Sequence, residues 1–248
     1  MASNLMAFGG NLFKGLIMKI KIYADGSDKN EMIQLYKNNK FISGFTTNPS
    51  LMRKAGVVNY LEFLQEVTSV IKDVPISFEV FADDLNEMER QADIIASYGS
   101  NIFVKIPVTN TKGESTKELI KKLLDKNIKV NITAVMTRKQ IKELIPFMKS
   151  STDVILSVFA GRIADTGIDP KSIVKYAIKN KSTNVQVLWA SPREVYNVYE
   201  ADKISCDIIT ITVDLINKLS LSNKSLQEYS LDTVKMFYND ARASNYSL

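Results

Sequence analysis

Apolar and polar positions follow two rhythms along this chain, and the two rhythms alternate. Short runs rich in β-branched residues, which predict strands, occur eight times: IKIYAD, FISGFTTN, ISFEVFAD, NIFVKIPV, KVNITAVM, DVILSVFAG, NVQVLWAS and DIITITV. Between them lie stretches with a helical period, such as LNEMERQADIIASYG and STKELIKKLLDKN. A strand followed by a helix, eight times in 248 residues, predicts a single (β/α)8 TIM barrel over residues 18–248. A doubly wound open sheet is the structural alternative.

The first residues fall outside this repeat. Residues 1–17 are apolar, carry only Lys14 as a charge, and end just before Met18 and the first predicted strand. An early basic region and a clear cleavage site, which a signal peptide needs, are both missing. We interpret residues 1–17 as a leader that is dispensable or comes from an upstream start, with disorder as one reading.

An additional helix is predicted after the last strand and its helix, over residues 226–238. Its apolar stripe consists of Leu231, Val234, Phe237 and Tyr238. A helix with such a stripe packs either on the barrel or on a neighbouring subunit, so a homo-oligomer is one expectation.

Composition narrows the class of protein. One cysteine, Cys206, excludes an internal disulfide and fits a reducing compartment. No apolar run is long enough to cross a bilayer, so we expect a cytoplasmic protein without a membrane partner. The net charge of +5 comes from basic residues interspersed with acids at helical spacing, as in KELIKKLLDK. This pattern predicts solvated helix faces and no nucleic-acid surface.

Histidine is absent from the sequence. A Ser–His triad and a histidine-ligated metal are therefore excluded. Acid–base chemistry near neutral pH must use carboxylates, lysine, tyrosine, cysteine or water.

One predicted strand, NIFVKIPV, carries a lysine among apolar residues. Its isoleucines and valine at alternate positions share one face, and Lys105 lies on the other. A desolvated amine is more readily neutral, and a neutral amine attacks carbonyls to form a Schiff base. The protonated imine is an electron sink that allows a neighbouring C–C bond to break. The non-catalytic alternative is a static ion pair of Lys105 with Glu79 or Asp25.

Polar residues gather late in the predicted strands or just beyond them. In a (β/α)8 barrel the active site lies at the carboxyl ends of the strands, so these residues would share one rim. Each alone is explained by a turn, a cap or a surface position, but together they indicate a site, because buried polar groups are costly unless satisfied. They are Asp25, Asn48, Glu79, Lys105, Asn131, Thr133, Ser157, Arg162, Ser191 and Arg193.

Several motifs resemble those of one enzyme family. YADGS, GFTTNPSL, FEVFAD, FVKIPVT, VNITAVM, SVFAGRI and WASPR occur in the order found in transaldolases. The resemblance covers residues 19–219, and the length is closer to the shorter members, which include the fructose-6-phosphate aldolases.

The resemblance implies four catalytic residues. Lys105 matches the lysine that forms the Schiff base. Asp25 matches the carboxylate that moves the proton on the substrate hydroxyl during C–C cleavage and formation. Glu79 matches the acid that, with Thr133, holds the water used in forming and hydrolysing the imine.

The same resemblance implies the residues that bind substrate. Asn48 and Asn131 match residues that bond substrate hydroxyls, and Ser157 matches a substrate-contacting serine. The guanidinium geometry suits a phosphate dianion. The residues matched to the sugar-phosphate site are Arg162, Ser191 and Arg193.

The activity implied is that of a transaldolase. It would move a dihydroxyacetone unit from a ketose phosphate, such as fructose 6-phosphate or sedoheptulose 7-phosphate, to an aldose phosphate. No metal or organic cofactor is expected, because the lysine imine serves as the electron sink.

Two alternatives stay open. An aldolase that releases dihydroxyacetone typically has glutamine where this chain has Glu79 and tyrosine where it has Phe159, so both residues favour transfer. A sugar-phosphate-binding barrel without turnover is the other, because Gly26 and Pro192 depart from the family pattern.

Overall fold

The computed structural model describes residues 18–244 and Tyr246. Within them, eight parallel strands close into a barrel in sequence order. The predicted (β/α)8 TIM barrel is therefore confirmed, and the open-sheet alternative is wrong. The interpretation of residues 1–17 as a leader lies outside the described residues. The strands are β1 (Lys21–Asp25), β2 (Ile42–Thr46), β3 (Ile76–Glu79), β4 (Ile102–Pro107), β5 (Val130–Val135), β6 (Val154–Val158), β7 (Val185–Trp189) and β8 (Ile208–Thr212).

The helices surround the barrel and include two that the periodicity did not predict, α2 and α7. Helix α2 begins after Asn48, whose side-chain oxygen accepts the N–H of Leu51 at 2.9 Å, with Pro49 in the first helical turn. The helices are α1 (Lys29–Asn38), α2 (Pro49–Lys54), α3 (Tyr60–Val70), α4 (Leu85–Ala96), α5 (Lys117–Asp125), α6 (Arg138–Leu144), α7 (Ala160–Asp165), α8 (Lys171–Asn180), α9 (Tyr196–Lys203), α10 (Val213–Lys218) and α11 (Leu226–Ala243).

The alternation along each strand sorts side chains between two cores. On β4, the isoleucines and Val104 join the large core between sheet and helices, whereas Phe103 points into the barrel. Lys105 lies two residues further along this inner face. The apolar cluster inside the barrel, called here the inner plug, consists of Tyr23, Phe103, Ile155, Leu188, Ala190 and Ile208.

The inner plug requires a glycine on β2. A Cβ on Gly44 would lie 2.6 Å from Cζ of the Tyr23 ring, which is closer than carbon atoms approach without a clash. Tyr23 therefore packs flat against the β2 backbone. The polar residues lie above this plug, toward the carboxyl ends of the strands.

The C-terminal helix α11 is present and extends five residues beyond its predicted end at Tyr238. No residue of α11 is buried within the described part of the chain, and Val234 and Phe237 are 60% and 62% exposed. The predicted stripe is therefore not covered by the chain's own barrel. No helix among residues 18–244 combines the length and the apolar character needed to cross a membrane.

Candidate active site

A cavity of about 340 Å³ opens at the carboxyl ends of the strands. All the residues predicted for the site, Arg193 excepted, line it: Asp25, Asn48, Glu79, Lys105, Asn131, Thr133, Ser157, Phe159, Arg162 and Ser191. The strands thus bring together side chains that are far apart in sequence, on the rim where such barrels hold their active sites.

Lys105 lies at the base of the cavity and is 6% exposed. Its ammonium contacts Oε2 of Glu79 at 2.9 Å and donates to the carbonyl oxygen of Thr47 at 2.8 Å. Glu79 and Lys105 are register partners on β3 and β4, so the strand pairing itself sets this contact. Two acceptors use two of the three N–H groups and leave the third for the cavity.

Asp25 ends β1 on the same inner face. The hydroxyl of Thr46 donates to Oδ1 of Asp25 at 2.8 Å, and Oδ2 has no hydrogen-bond partner among the described residues. Burial raises the pKa of the Asp25 carboxyl, whereas the Lys105 ammonium and the Thr46 hydroxyl act in the opposite direction. A carboxylate with a raised pKa and one free oxygen is suited to accept a proton from a bound hydroxyl.

A second hydrogen-bonded chain crosses the cavity wall. Ser157 donates to Oδ1 of Asn131 at 2.7 Å, and Nδ2 of Asn131 donates to the Ser77 hydroxyl at 2.9 Å. These bonds fix the orientation of the Asn131 amide and leave one N–H for a ligand.

Thr133 follows on the same face of β5, and its buried hydroxyl has no partner within the described range. The pairing register of β5 shifts between Ile132 and Val135, and within this interval Ala134 has a φ of +61°. A bulge with left-handed backbone re-aims the side chains beside it, and such strain is common at active sites. The hydroxyl of Thr133 therefore has unused hydrogen-bonding capacity, at a residue that lines the cavity.

The outer end of the cavity is formed by α7 and the segment after β7. Arg162, on α7, lines the cavity, and its guanidinium lies 5.9 Å from the ring centroid of Phe159. Opposite it is Ser191, which has a φ of +61°. The first turn of α7 contacts this segment directly, because the N–H of Gly161 donates to the carbonyl of Ala190 at 3.2 Å.

Arg193 lies away from the cavity, contrary to its predicted place in a phosphate site. Its guanidinium forms two hydrogen bonds to the carboxylate of Asp165, at the end of α7. The bond from Arg193 lowers the pKa of Asp165. Arg193 has a long side chain, so its partner is decided by what the fold places beside it, and here α7 supplies a carboxylate. Its role toward phosphate stays a prediction.

The structure adds polar groups that sequence reasoning missed. Thr46, Ser77, Thr210 and the carbonyl of Thr47 all bond predicted site residues or one another. Strand alternation could have indicated the three side chains, because it places each of them on the inner face of its strand, β2, β3 or β8. Across the part of the chain that the structure describes, no three His, Cys, Asp or Glu side chains are grouped to hold a metal ion.

Gly161 sets the spacing of the outer end. A Cβ on Gly161 would lie 1.5 Å from the carbonyl oxygen of Ser191, so α7 and the segment after β7 would have to separate. We expect Gly161→Ala to lower the free energy of unfolding by about 3 kcal/mol or more, measured by urea denaturation. Gly26→Ala is the matched control, because its Cβ meets nothing within 4 Å and should change stability by less than about 1 kcal/mol. Equal stability of the two variants would contradict this packing.

Comparisons with known proteins agree with this geometry. The family described as Transaldolase/Fructose-6-phosphate aldolase matches residues 22–248. A protein of Chelativorans sp. strain BNC1 named "Probable transaldolase" is 32% identical over 222 residues, which cover 87% of this chain and 97% of that protein. A protein of the same name from Bartonella henselae is 30% identical over 228 residues, covering 90% of this chain and 100% of the relative.

Solved structures with much lower identity share the fold. The 3-hexulose-6-phosphate synthase of Salmonella typhimurium aligns with a TM-score of 0.58 at 10% identity, covering 81% of this chain and 97% of that one. The tryptophan synthase A-subunit of Pyrococcus furiosus has the same TM-score and identity, covering 85% and 94%. At this identity the likeness concerns the barrel alone. The family match and the two relatives, together with the cavity geometry, lead to one conclusion: the chain belongs to the transaldolase/fructose-6-phosphate aldolase family.

Proposed function

We propose that this protein is a transaldolase that transfers a dihydroxyacetone unit from a ketose phosphate to an aldose phosphate through a Schiff base on Lys105. The observation that carries the proposal is the position of the Lys105 amine at the base of a polar cavity. It lies between the Glu79 carboxylate and the Thr47 carbonyl, with one N–H left for the cavity.

Imine formation uses the groups around this amine. Lys105 must lose a proton before it attacks the ketone, and Glu79, 2.9 Å away, is positioned to receive it. The carbinolamine then loses its hydroxyl as water. The unpartnered hydroxyl of Thr133 and the carboxylate of Glu79 line the same wall and are suited to hold that water.

Cleavage needs a base at the hydroxyl of the carbon that leaves. The free Oδ2 of Asp25 accepts that proton, the C–C bond breaks to release an aldehyde, and its electron pair moves into the protonated imine to give an enamine. The acceptor aldehyde then reverses these steps. Phe159 lines the cavity and has no hydroxyl with which to activate a water molecule beside the enamine.

Phosphate recognition would begin with Arg162, the arginine that lines the cavity. Ser191 supplies a hydroxyl on the same end. Arg193 joins them only by leaving Asp165, and because both partners are half exposed this ion pair contributes little stability. A phosphate dianion is a strong enough competitor for such an exchange.

The experiment that tests the proposal is borohydride reduction in the presence of fructose 6-phosphate, followed by mass spectrometry of the Lys105 peptide. A three-carbon adduct on Lys105 is the expected result, and it should be diminished when glyceraldehyde 3-phosphate is added before the reduction, because the acceptor consumes the enamine. Fast release of dihydroxyacetone without an acceptor would identify the enzyme as an aldolase. For a transaldolase we expect Phe159→Tyr to shift the enzyme toward such release. A ligand-induced thermal shift without any adduct would indicate a binding protein without turnover. The pathway and the cytoplasmic location stay predictions.

We also propose that the protein forms a homo-oligomer through α11. The apolar stripe of that helix is exposed, and the same chain carries a second exposed apolar patch around Val58 and Phe81, the latter 61% exposed. Arg53 borders this patch, whereas α11 carries Glu228 in its first turn, one turn before Leu231 of the stripe. A contact between two different surfaces of neighbouring copies is heterologous, and it gives a closed ring when the rotation from one copy to the next closes.

Light scattering coupled to size-exclusion chromatography tests the oligomer. Wild type is expected to elute as an oligomer at micromolar concentration, and Val234→Glu combined with Phe237→Glu as a monomer, because two charges on the stripe oppose its burial. Asn239→Glu, away from the stripe on the same helix, should remain oligomeric. A monomeric wild type would rule out the interface.

A further inference from the structure

Beside Asp25 lies a pair of threonines, and both line the wall of the cavity. Thr46 ends β2 and Thr210 lies on β8, the two strands that flank β1 in the barrel. Both are buried, at 3% and 5% exposure. Their hydroxyl oxygens lie 2.5 Å apart, and Thr46 is also hydrogen-bonded to Oδ1 of Asp25 at 2.8 Å.

The hydrogen count fixes the direction of this chain. A threonine hydroxyl has one hydrogen to donate. While Asp25 is ionised its carboxylate only accepts, so the hydrogen of Thr46 is used on Oδ1. Thr210 must then donate to Thr46. A hydroxyl that accepts a hydrogen bond becomes a stronger donor, because chains of hydrogen bonds polarise one another.

We infer that Thr210 is a positioning residue for the reaction, acting on Asp25 through Thr46. The chain anchors Oδ1 and stabilises the ionised carboxylate, which leaves Oδ2 turned toward the cavity to receive the substrate proton. No atom is exchanged along the chain; each hydroxyl keeps its hydrogen. The inference deepens the proposed function and rests on it.

If the two threonines only stabilise the fold, the expected effect of substitution is different. Threonine is common in strands, and a buried hydroxyl pair also satisfies itself. Valine has nearly the same shape, so a structural threonine at position 210 would be replaceable by valine with no effect on the chemistry of Asp25. The positioning role instead requires the hydroxyl, and it places the effect in catalysis and its pH dependence.

The test is Thr210→Val in the full chain, followed by kcat, KM and borohydride trapping with fructose 6-phosphate. We expect kcat to fall about 10-fold with KM changed less than about 2-fold, because valine keeps the shape of the cavity wall while the hydrogen bond to the base weakens. Trapping should yield more of the uncleaved six-carbon adduct. The acid limb of the kcat profile should move to higher pH, because weaker donation to Oδ1 raises the pKa of Asp25 and Asp25 must be ionised to act. Thr210→Ser should restore kcat and the limb.

The other charged groups that face Asp25 are unchanged in every variant. A shift in the acid limb of the kcat profile therefore measures the effect of the hydroxyl chain. Two face it across the barrel and four line a neighbouring pocket: Lys105, Glu79, Asp28, Glu31, Lys54 and Asp214. Thr68→Val is the matched control, since Thr68 is a buried threonine of α3 that donates to the carbonyl of Leu64 at 2.8 Å, away from the cavity.

Three results would overturn the inference. They are wild-type kcat with an unmoved limb in Thr210→Val, an equal loss in Thr68→Val, and failure of Thr210→Ser to restore the limb. Thr210→Ala gives the same readout if the valine variant does not fold. Absence of any wild-type adduct would refute the proposed function itself, whereas normal wild-type trapping with an unaffected Thr210→Val would refute only the role of Thr210.

Discussion

Lys105→Met is expected to lower transfer activity by about four orders of magnitude or more and to abolish borohydride trapping. Methionine matches lysine in length but has no amine, so the imine cannot form. The change also leaves Glu79 without its cation at 2.9 Å. Glu79 keeps some solvent contact through the cavity that it lines, so this loss is borne without unfolding. Coupled-enzyme kinetics and trapping measure the two losses together.

Two further variants separate chemistry from folding. Lys105→Arg keeps a cation beside Glu79 but cannot form the imine, so it should be as inactive as Lys105→Met with a melting temperature closer to wild type. Lys21→Met removes a lysine from a strand at the opposite end of the barrel, where its ammonium donates to Gln186, and should keep full activity. Transfer that survives in Lys105→Met would show that another group carries the substrate.

Asp25→Asn has the second largest expected effect. Imine formation should continue, because Lys105, Glu79 and Thr133 are unchanged, but C–C cleavage should slow by about 10²- to 10³-fold. The variant would therefore accumulate the uncleaved six-carbon adduct, where wild type yields the three-carbon one. Mass spectrometry of the reduced peptide distinguishes the two. Equal loss of both adducts would mean that Asp25 acts before cleavage.

The same residue predicts a pH dependence. Asp25 accepts a proton only when ionised, so the rate falls as the pH falls through its pKa. Burial is the largest influence on that pKa and raises it, so the acid limb of wild-type kcat should lie above the usual aspartate value of about 3.9. In Asp25→Asn this limb should disappear. A limb that persists unchanged would have to belong to another group.

The fold was predictable because strand and helix periods differ and alternate eight times in this sequence. The short helices α2 and α7 were not, because each has too few turns to show a period. Helix α2 depends on a cap from Asn48, a residue that the sequence equally suggested for substrate binding. The end of α11 was underestimated because residues 239–243 continue the helix without a large apolar side chain to extend the stripe.

Within the site, residues with short side chains fixed by strand alternation lie where they were predicted. Asn131, Thr133 and Ser157 are examples, since alternation decides which face each occupies. Arg193 differs because its long side chain can reach several partners, and only the folded chain shows which are near. The sequence did not indicate that Asp165 would bind this guanidinium in competition with a phosphate. Thr210 was overlooked because a threonine in a strand is unremarkable until the register shows that it meets Thr46.

The inner plug has a kinetic consequence. The inner plug fills the barrel beneath Lys105, so substrates and products reach and leave the amine through the rim. Its large side chains are those of Tyr23, Phe103, Ile155, Leu188 and Ile208. The aldehyde released by cleavage must leave through the same opening at the rim by which the acceptor aldehyde enters. For the proposed transaldolase we therefore expect ping-pong kinetics, with the three-carbon unit held on Lys105 after the first aldehyde leaves and before the acceptor binds.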